Sequence, residues 1–526
     1  MPVVWNLNTV AVPQHAPRSG RLRHIRSGAA WPRIWMVTGV ACLFALLGNP
    51  QVRAADFTVL YSQQMSARTQ LVSEMEAVAA ESEQAQLPDL AAEIRQWARP
   101  LEQQPGNVDD LPTHIQPVIP ANLPPAERAA KVRVQKLRTD YANTLYLLAR
   151  KAQAEKHPSV AYRMVREVLF HDPDHAIARK MLGYQRDGNE WTTQFAAEMK
   201  DEGKVWHDEF GWLPAKHVER YIAGERYYRE KWIPAAKEET LRSDFKNGWE
   251  IYAEHFFIKT NHSLEKGAHL AASVETFHRY FMREFAACFQ TPQQMDKLFQ
   301  DGTSTRRVKL HHIDHYRLQS EFVERLIQRC PNAGLINGIY MPLDRKAYFF
   351  HNPATPDDES LDTLYHEVTH QLLCESSLKP VPVGVNRDFW VIEGVACYFE
   401  SFRVGEDGSI TVGSPQHPRI QAARDQVVTT QDQEPLARFT AYGMQTFQKP
   451  KLAVLQKRYA QATGLAHFFL NYKDGLYRDE FIEYLSQTYS PDDRIRAGKK
   501  TRTLEQIVGV TYATLDTQYA AYMRGL

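Results

Sequence analysis

The segment His366-Glu367-Val368-Thr369-His370 carries the most specific chemistry in this 526-residue sequence. On a helix, histidines four residues apart project from one face, so both imidazoles can reach one tetrahedral Zn2+ while Glu367 faces the water that such a site activates. Further on, Trp390-Val391-Ile392-Glu393-Gly394-Val395-Ala396-Cys397-Tyr398-Phe399-Glu400 reads as a second helix that begins near Asp388. Glu393 is the expected third ligand, and Gly394 and Ala396 are small where this helix must lie close to the first. Three protein ligands leave the fourth position open to water, which separates a catalytic zinc site from a structural one. The expected chemistry is hydrolysis, with Glu367 taking the water proton and passing it to the leaving group.

At these two motifs the sequence resembles the gluzincin metallopeptidases, in which H-E-x-x-H is followed by a Glu within a W-x-x-E-G-x-A-x-Y-type helix. The likeness is strongest to secreted members of the peptidase MA-like type. By element order it covers about 280 residues, from Trp249 to the C-terminus. It implies a zincin-like domain, with a mixed sheet, the active-site helix and a C-terminal helical subdomain. It also implies a sheet-edge strand that holds extended peptide by β-augmentation, for which Asn337-Gly338-Ile339-Tyr340 is the counterpart. The G-x-M-E-N signature of aminopeptidases is missing here, and with it their amine-binding Glu. In the likeness to Y-x-x-G-type helices, Tyr459 is the candidate donor to the developing oxyanion, and His467 is its rival, because other gluzincins use a histidine there.

Other residues fit the site less directly. His311, His312 and His315 alternate along a strand, so the first two point to opposite faces, and no neighbouring carboxylate or cysteine in the sequence completes a metal set. Cys374 and Cys397 each lie four residues past a proposed ligand, either as a disulfide or as two buried thiols. Asp362, one turn before His366, and Glu400, two turns after Glu393, are either ligand-orienting groups or solvated helix carboxylates.

These residues need a scaffold. Thr355-Pro356 opens a helix whose Leu361, Leu364, Tyr365, Val368 and Leu372 form one apolar stripe. Ahead of it, Trp249 to Thr260 reads as a strand, Asn261 or Ser263 as the cap of a helix from Leu264 to Phe285, Arg307 to Ile313 as a strand, and Ser320 to Gln328 as a helix. Ile336 to Met341 and Lys346 to Phe350 read as a β-hairpin. The stretch from Phe402 to about Pro450 is either a lid or a set of packing helices. The fold class is therefore α+β, with a domain at 246–526 behind a mainly helical region at 55–245. That region holds helices at Val134–Lys156 and Ala161–Phe170, and a third that Asp172-Pro173 would start. Around 136–184 it resembles one tetratricopeptide repeat, and short hairpins follow at about 183–214.

The formal charge is +1, from 63 Lys plus Arg against 62 Asp plus Glu. That balance excludes a strongly basic nucleic-acid binder, but it hides an asymmetry, since residues 1–54 hold six arginines and no acid. The arginines lead into the uncharged run Ile34–Leu47, which as a helix spans only about 21 Å against roughly 30 Å of hydrocarbon. The segment reads as a signal peptide cut near Ala54, so the chain is expected outside the cytoplasm, periplasmic or secreted, without a permanent membrane span. The four remaining cysteines, Cys288, Cys330, Cys374 and Cys397, are too few for a disulfide framework. The expected partner is a peptide or protein substrate, with the N-terminal helical region available to a further protein partner. The alternative is a non-catalytic envelope interaction protein that keeps the gluzincin fold. Substrate specificity and oligomeric state are not encoded in any motif.

Overall fold

The computed structural model describes residues 50–99, 113–304, 309–354, 357–376, 383–406, 408–489 and 501–526. The expected export signal lies almost wholly outside these residues, as does the Thr355-Pro356 helix start. Within them, no helix is long and apolar enough to cross a membrane.

Among the described residues, the first helices are α1 (Pro50–Gln84), α2 (Pro88–Trp97), α3 (Pro125–Ala154), α4 (Pro158–His171) and α5 (Ala176–Met181). Helices α2, α3 and α4 carry proline in their first turn, where no N–H is needed and φ is already helical. Prolines that break one helix thus start the next, and α3 begins nine residues before the expected Val134. Asp172 does not cap α5. The cap is His175, whose Nδ1 accepts the Ala178 N–H at 3.2 Å, while Asp172 accepts the Asp174 N–H in the preceding loop. Leu60, Met75, Leu145, Val165 and Leu169 lie in one apolar cluster, which Met295, Leu298 and Phe299 from further along the chain complete.

Three ββα units follow: β1 (Tyr184–Asp187), β2 (Glu190–Thr193) and α6 (Gln194–Asp201); β3 (Lys204–His207), β4 (Gly211–Pro214) and α7 (Val218–Ile222); β5 (Glu225–Tyr228), β6 (Lys231–Pro234) and α8 (Ala235–Arg242). Gly183, Gly203 and Gly224 enter the units with φ of +85°, +73° and +82°, a conformation that favours glycine. Trp191, Trp212 and Trp232 each hold the second position of the second strand. The helix of one unit packs on the hairpin of the next, Phe195 on Trp212 at 6.0 Å and Tyr221 on Trp232 at 6.1 Å between ring centres. The hairpins expected at 183–214 are thus two-thirds of an internal repeat that runs on to Arg242.

The sheet consists of β7 (Trp249–Tyr252), β8 (Phe256–Thr260), β9 (His311–Tyr316), β10 (Gly338–Met341) and β11 (Lys346–Phe350), in the order β10-β11-β9-β8-β7. Its centre is parallel (β8 to β9 to β11) and both outer pairs are antiparallel. The single strand expected over Trp249–Thr260 is two strands around the turn Ala253-Glu254-His255. The strand expected to end at Ile313 runs on to Tyr316. Helix α9 (Leu264–Glu284), capped by Ser263 rather than Asn261, buries Ala268, Ala271, Val274, Phe277 and Phe281. Helices α10 (Pro292–Asp301) and α11 (Gln319–Leu326) complete this part.

Helix α12 (Asp357–Glu375) packs on β10, and α13 (Phe389–Phe399) is buried along its whole length, as its apolar sequence on all sides requires. The chain continues through the short pair β12 (Arg403–Val404) and β13 (Ile410–Thr411), α14 (Pro418–Asp425), α15 (Leu452–Asn471), α16 (Arg478–Thr488) and α17 (Tyr512–Gly525). Between β13 and α15, Ile420, Leu436, Phe439 and Phe447 are buried, so this stretch packs rather than forming a lid. Gly394 is small for a reason other than the expected one. A Cβ there would lie 2.5 Å from the Ala462 carbonyl oxygen, so the close approach is to α15 and not to α12. The two halves are latched where Asp479 on α16 accepts both the N–H and the hydroxyl of Ser159 on α4, each at 3.0 Å.

Candidate metal centre

Leu364, Tyr365, Val368 and Leu372 anchor α12 in the core, and the rotation this fixes sends His366 and His370 toward α13. Their Nε2 atoms are 3.1 Å apart, and Oε2 of Glu393 is 3.7 Å from the first and 3.8 Å from the second. All three residues are buried. The point equidistant from these atoms lies about 2.1 Å from each, within the roughly 2.0–2.2 Å range of zinc–nitrogen and zinc–oxygen bonds. Oε2 of Glu393 has no hydrogen-bond donor, a costly state for a buried carboxylate oxygen unless a cation meets it. The donor set therefore fits a metal ion, and the buried His and Glu side chains form a group able to hold one.

The surroundings fix the ligands. His366 Nδ1 lies 2.9 Å from Oε1 of Glu400, whose other oxygen accepts from Arg419. In the neutral imidazole, an Nδ1–H donated to Glu400 leaves the Nε2 lone pair facing Glu393 and His370. Glu400 is buried and bonded to His366, which excludes the reading as a solvated helix carboxylate. Burial opposes its charge, but Arg419 and the His366 hydrogen bond overcome that and bring its pKa to about 2. Asp362 instead pairs with Arg403 and with His417. For His370, burial pushes the imidazole well below its ordinary range, which keeps it neutral and able to ligate.

Glu367 is fully buried. Its Oε2 accepts the Tyr340 N–H of edge strand β10 at 2.8 Å, and its Oε1 has no partner. Burial raises both Glu367 and Glu393 to about 7.

Tyr459 and His467 both lie on α15, with different partners. The Tyr459 hydroxyl is buried without a hydrogen bond of good geometry, with Phe447 edge-on at 5.5 Å and the Arg419 guanidinium carbon 5.7 Å from its ring centre. Burial, reinforced by the charge of Glu393, holds this phenol well above its ordinary range. His467 is engaged on both sides, Nε2 at 2.9 Å from the Gly413 carbonyl and Nδ1 at 2.9 Å from the Tyr522 hydroxyl. Tyr459 is thus within electrostatic reach of Glu393, and the contacts of His467 lead elsewhere.

The other candidates are separated. His311 Nδ1 meets Glu375 at 2.9 Å, so a carboxylate does reach this histidine, from the end of α12, contrary to the sequence reading. His315 bonds Thr260, and His312 lies against Phe257. Cys374 and Cys397 are free thiols, the latter 3.8 Å from His366 Nδ1. Two residues near the centre had no signal in the sequence. Arg419 follows a helix-starting proline at no diagnostic spacing, and Tyr489 lies beyond α16, buried within electrostatic reach of Cys374 and Glu393. A cavity of about 240 Å³ flanks the start of α12, lined by Asn337, Phe349, Thr363 and Leu364, and His366, His370 and Glu393 do not line it.

A family model described as a protein of unknown function (DUF1570) matches residues 360–492, a span that holds His366, Glu367, His370, Glu393, Glu400, Arg419, Tyr459 and Tyr489. No curated protein matches the chain.

Proposed function

We propose that the chain is a gluzincin-type zinc metallopeptidase that hydrolyses peptide bonds outside the cytoplasm, with its zincin-like domain at 246–526 behind an N-terminal helical region that includes the tetratricopeptide-like pair α3–α4. The observation that carries this reading is the buried convergence of His366, His370 and Glu393, with the free oxygen of Glu367 alongside. Two imidazoles and one carboxylate suit zinc among the available divalent ions, and three ligands leave a position for substrate. When bound, Zn2+ supplies Lewis acidity and makes water a usable nucleophile near neutral pH.

The protein's own groups supply the remaining steps. Glu400 and Arg419 hold His366 in the ligating tautomer. Glu367 removes the proton of the attacking water with Oε1 and returns it to the leaving amine, while the Tyr340 N–H keeps the carboxylate in place. Because Tyr340 belongs to β10, the same edge that would pair with an extended peptide also sets the position of the general base. Tyr459 is the donor to the oxyanion in this reading.

The test is cleavage of a peptide library by zinc-loaded protein, with Glu367→Gln as the control. The variant is expected to keep its zinc and to lose hydrolysis by at least about 10³-fold. Equal cleavage by both proteins sinks the mechanism. A chain that purifies and stays metal-free in excess zinc would instead favour the interaction protein.

A further inference from the structure

A second set of donors lies on α9 and the β7–β8 turn. His255 Nδ1 is 2.9 Å from Oε2 of Glu275, and Oε1 of the same carboxylate accepts the His255 N–H at 2.6 Å. The His255 ring stacks on His278 with centres 3.9 Å apart, and donor atoms of all three residues lie within 4.8 Å of one another. We infer that His255, Glu275 and His278 form a second binding site for a divalent transition-metal ion, which clamps the β7–β8 turn onto α9.

The backbone of the turn is fixed before any ion arrives, and the stacked rings need only turn about their Cβ–Cγ bonds to point one nitrogen each at a shared ion. The His255 carbonyl accepts the His311 N–H at 2.8 Å, so the turn is tied to β9 on one side and to Glu275 on the other. Glu275 and His278 are one helical turn apart, a carboxylate–imidazole spacing that recurs on metal-binding helices. A hydrogen bond to the far oxygen of Glu275 orients the near one, as second partners do for ligating carboxylates.

An ion pair alone would need only His255 and Glu275. His278 instead occupies the inner face of α9 among Val274, Phe277 and Phe281 and is 4% exposed, so its ring lies against the pair and not in solvent. The neighbouring group Asp362, Glu400 and His417 differs, because Arg403 and Arg419 neutralise its carboxylates. Among the described residues, the ion pair of Glu275 is with His255 alone. The side chains of His255 and Glu275 are 19% and 12% exposed, which gives an ion a path in. Two imidazoles and one carboxylate select zinc, nickel, copper or cobalt over calcium and magnesium. The role is structural, since α9 reaches α12 through Phe277 on Tyr365 and carries none of the centre's ligands.

Cobalt(II) tests this on the full chain, by bound metal per chain and by visible absorption. The double variant His366→Ala/His370→Ala should retain about one equivalent, and adding His255→Ala should remove it. If that triple variant does not fold, Glu275→Gln in the same background should weaken the retained binding at least about tenfold. A double variant that folds and binds no cobalt overturns this site while leaving the first intact. Retained binding that neither His255→Ala nor Glu275→Gln changes also overturns it.

Discussion

Two clusters in this molecule combine a pair of imidazoles with a carboxylate, and they are built differently. The centre on α12 and α13 draws its ligands from two packed helices and buries all of them. It surrounds them with groups that act on the ligands: Glu400 and Arg419 behind His366, and Tyr340 behind Glu367. The cluster on α9 lies at a turn, keeps two of its side chains partly exposed, and has no partnerless carboxylate oxygen beside it. In the proposed reading, the same donor types serve reaction in one place and fastening in the other. What separates them is a buried base with a free oxygen, not the ligand set.

The largest expected effect falls on the third ligand. Glu393→Ala should lose one of two bound zinc equivalents, the other staying on α9, and should lose peptide cleavage by more than about 10³-fold, measured by metal analysis and a fluorogenic peptide assay. If Glu275→Gln abolished cleavage equally, the division into a reactive and a fastening cluster would fall. Next in size, Tyr459→Phe should lower kcat by roughly 10²-fold with KM and thermal stability little changed, as removal of one oxyanion donor does. An unaltered kcat would return Tyr459 to a packing role. Glu400→Gln should weaken zinc about 10- to 100-fold in a chelator competition, because the carboxylate orienting His366 is lost.

The smallest effect concerns burial. Glu367 sits at about 7 against an ordinary 4.5, so the metal-free fold favours its protonated form. The unfolded chain releases that proton first, so the stability of the metal-free protein falls as pH rises from about 4.5 to 7. Glu367→Gln has no such group. The melting temperature of the metal-free wild type should therefore drop relative to the variant between pH 5 and 7.5, and a constant gap would refute the assigned burial effect.

Legibility in the sequence followed locality. His366, Glu367 and His370 were readable because a helix fixes their spacing, and Glu393 because a second apolar helix carries it. The α+β class and the β10–β11 hairpin were readable from alternation and turn residues. The split of Trp249–Thr260 was hidden, because the turn Ala253-Glu254-His255 has neither glycine nor proline. Arg419 and Tyr489 depend on tertiary approach across dozens of residues, which no period records. His255, Glu275 and His278 share no motif either, since one member comes from a turn. The ββα repeat was missed because it keeps a glycine and a tryptophan per unit and little else.

That repeat carries a further consequence for how this region can change. Each helix leans on the following hairpin, so the array is a nearest-neighbour lattice whose natural increment is one unit of 20 or 21 residues. Insertion or loss of a complete unit preserves the phase in which a helix meets the next tryptophan, whereas a partial one strands a tryptophan without its neighbour. The path between the N-terminal helices and the sheet is therefore adjustable in discrete steps, like links in a chain.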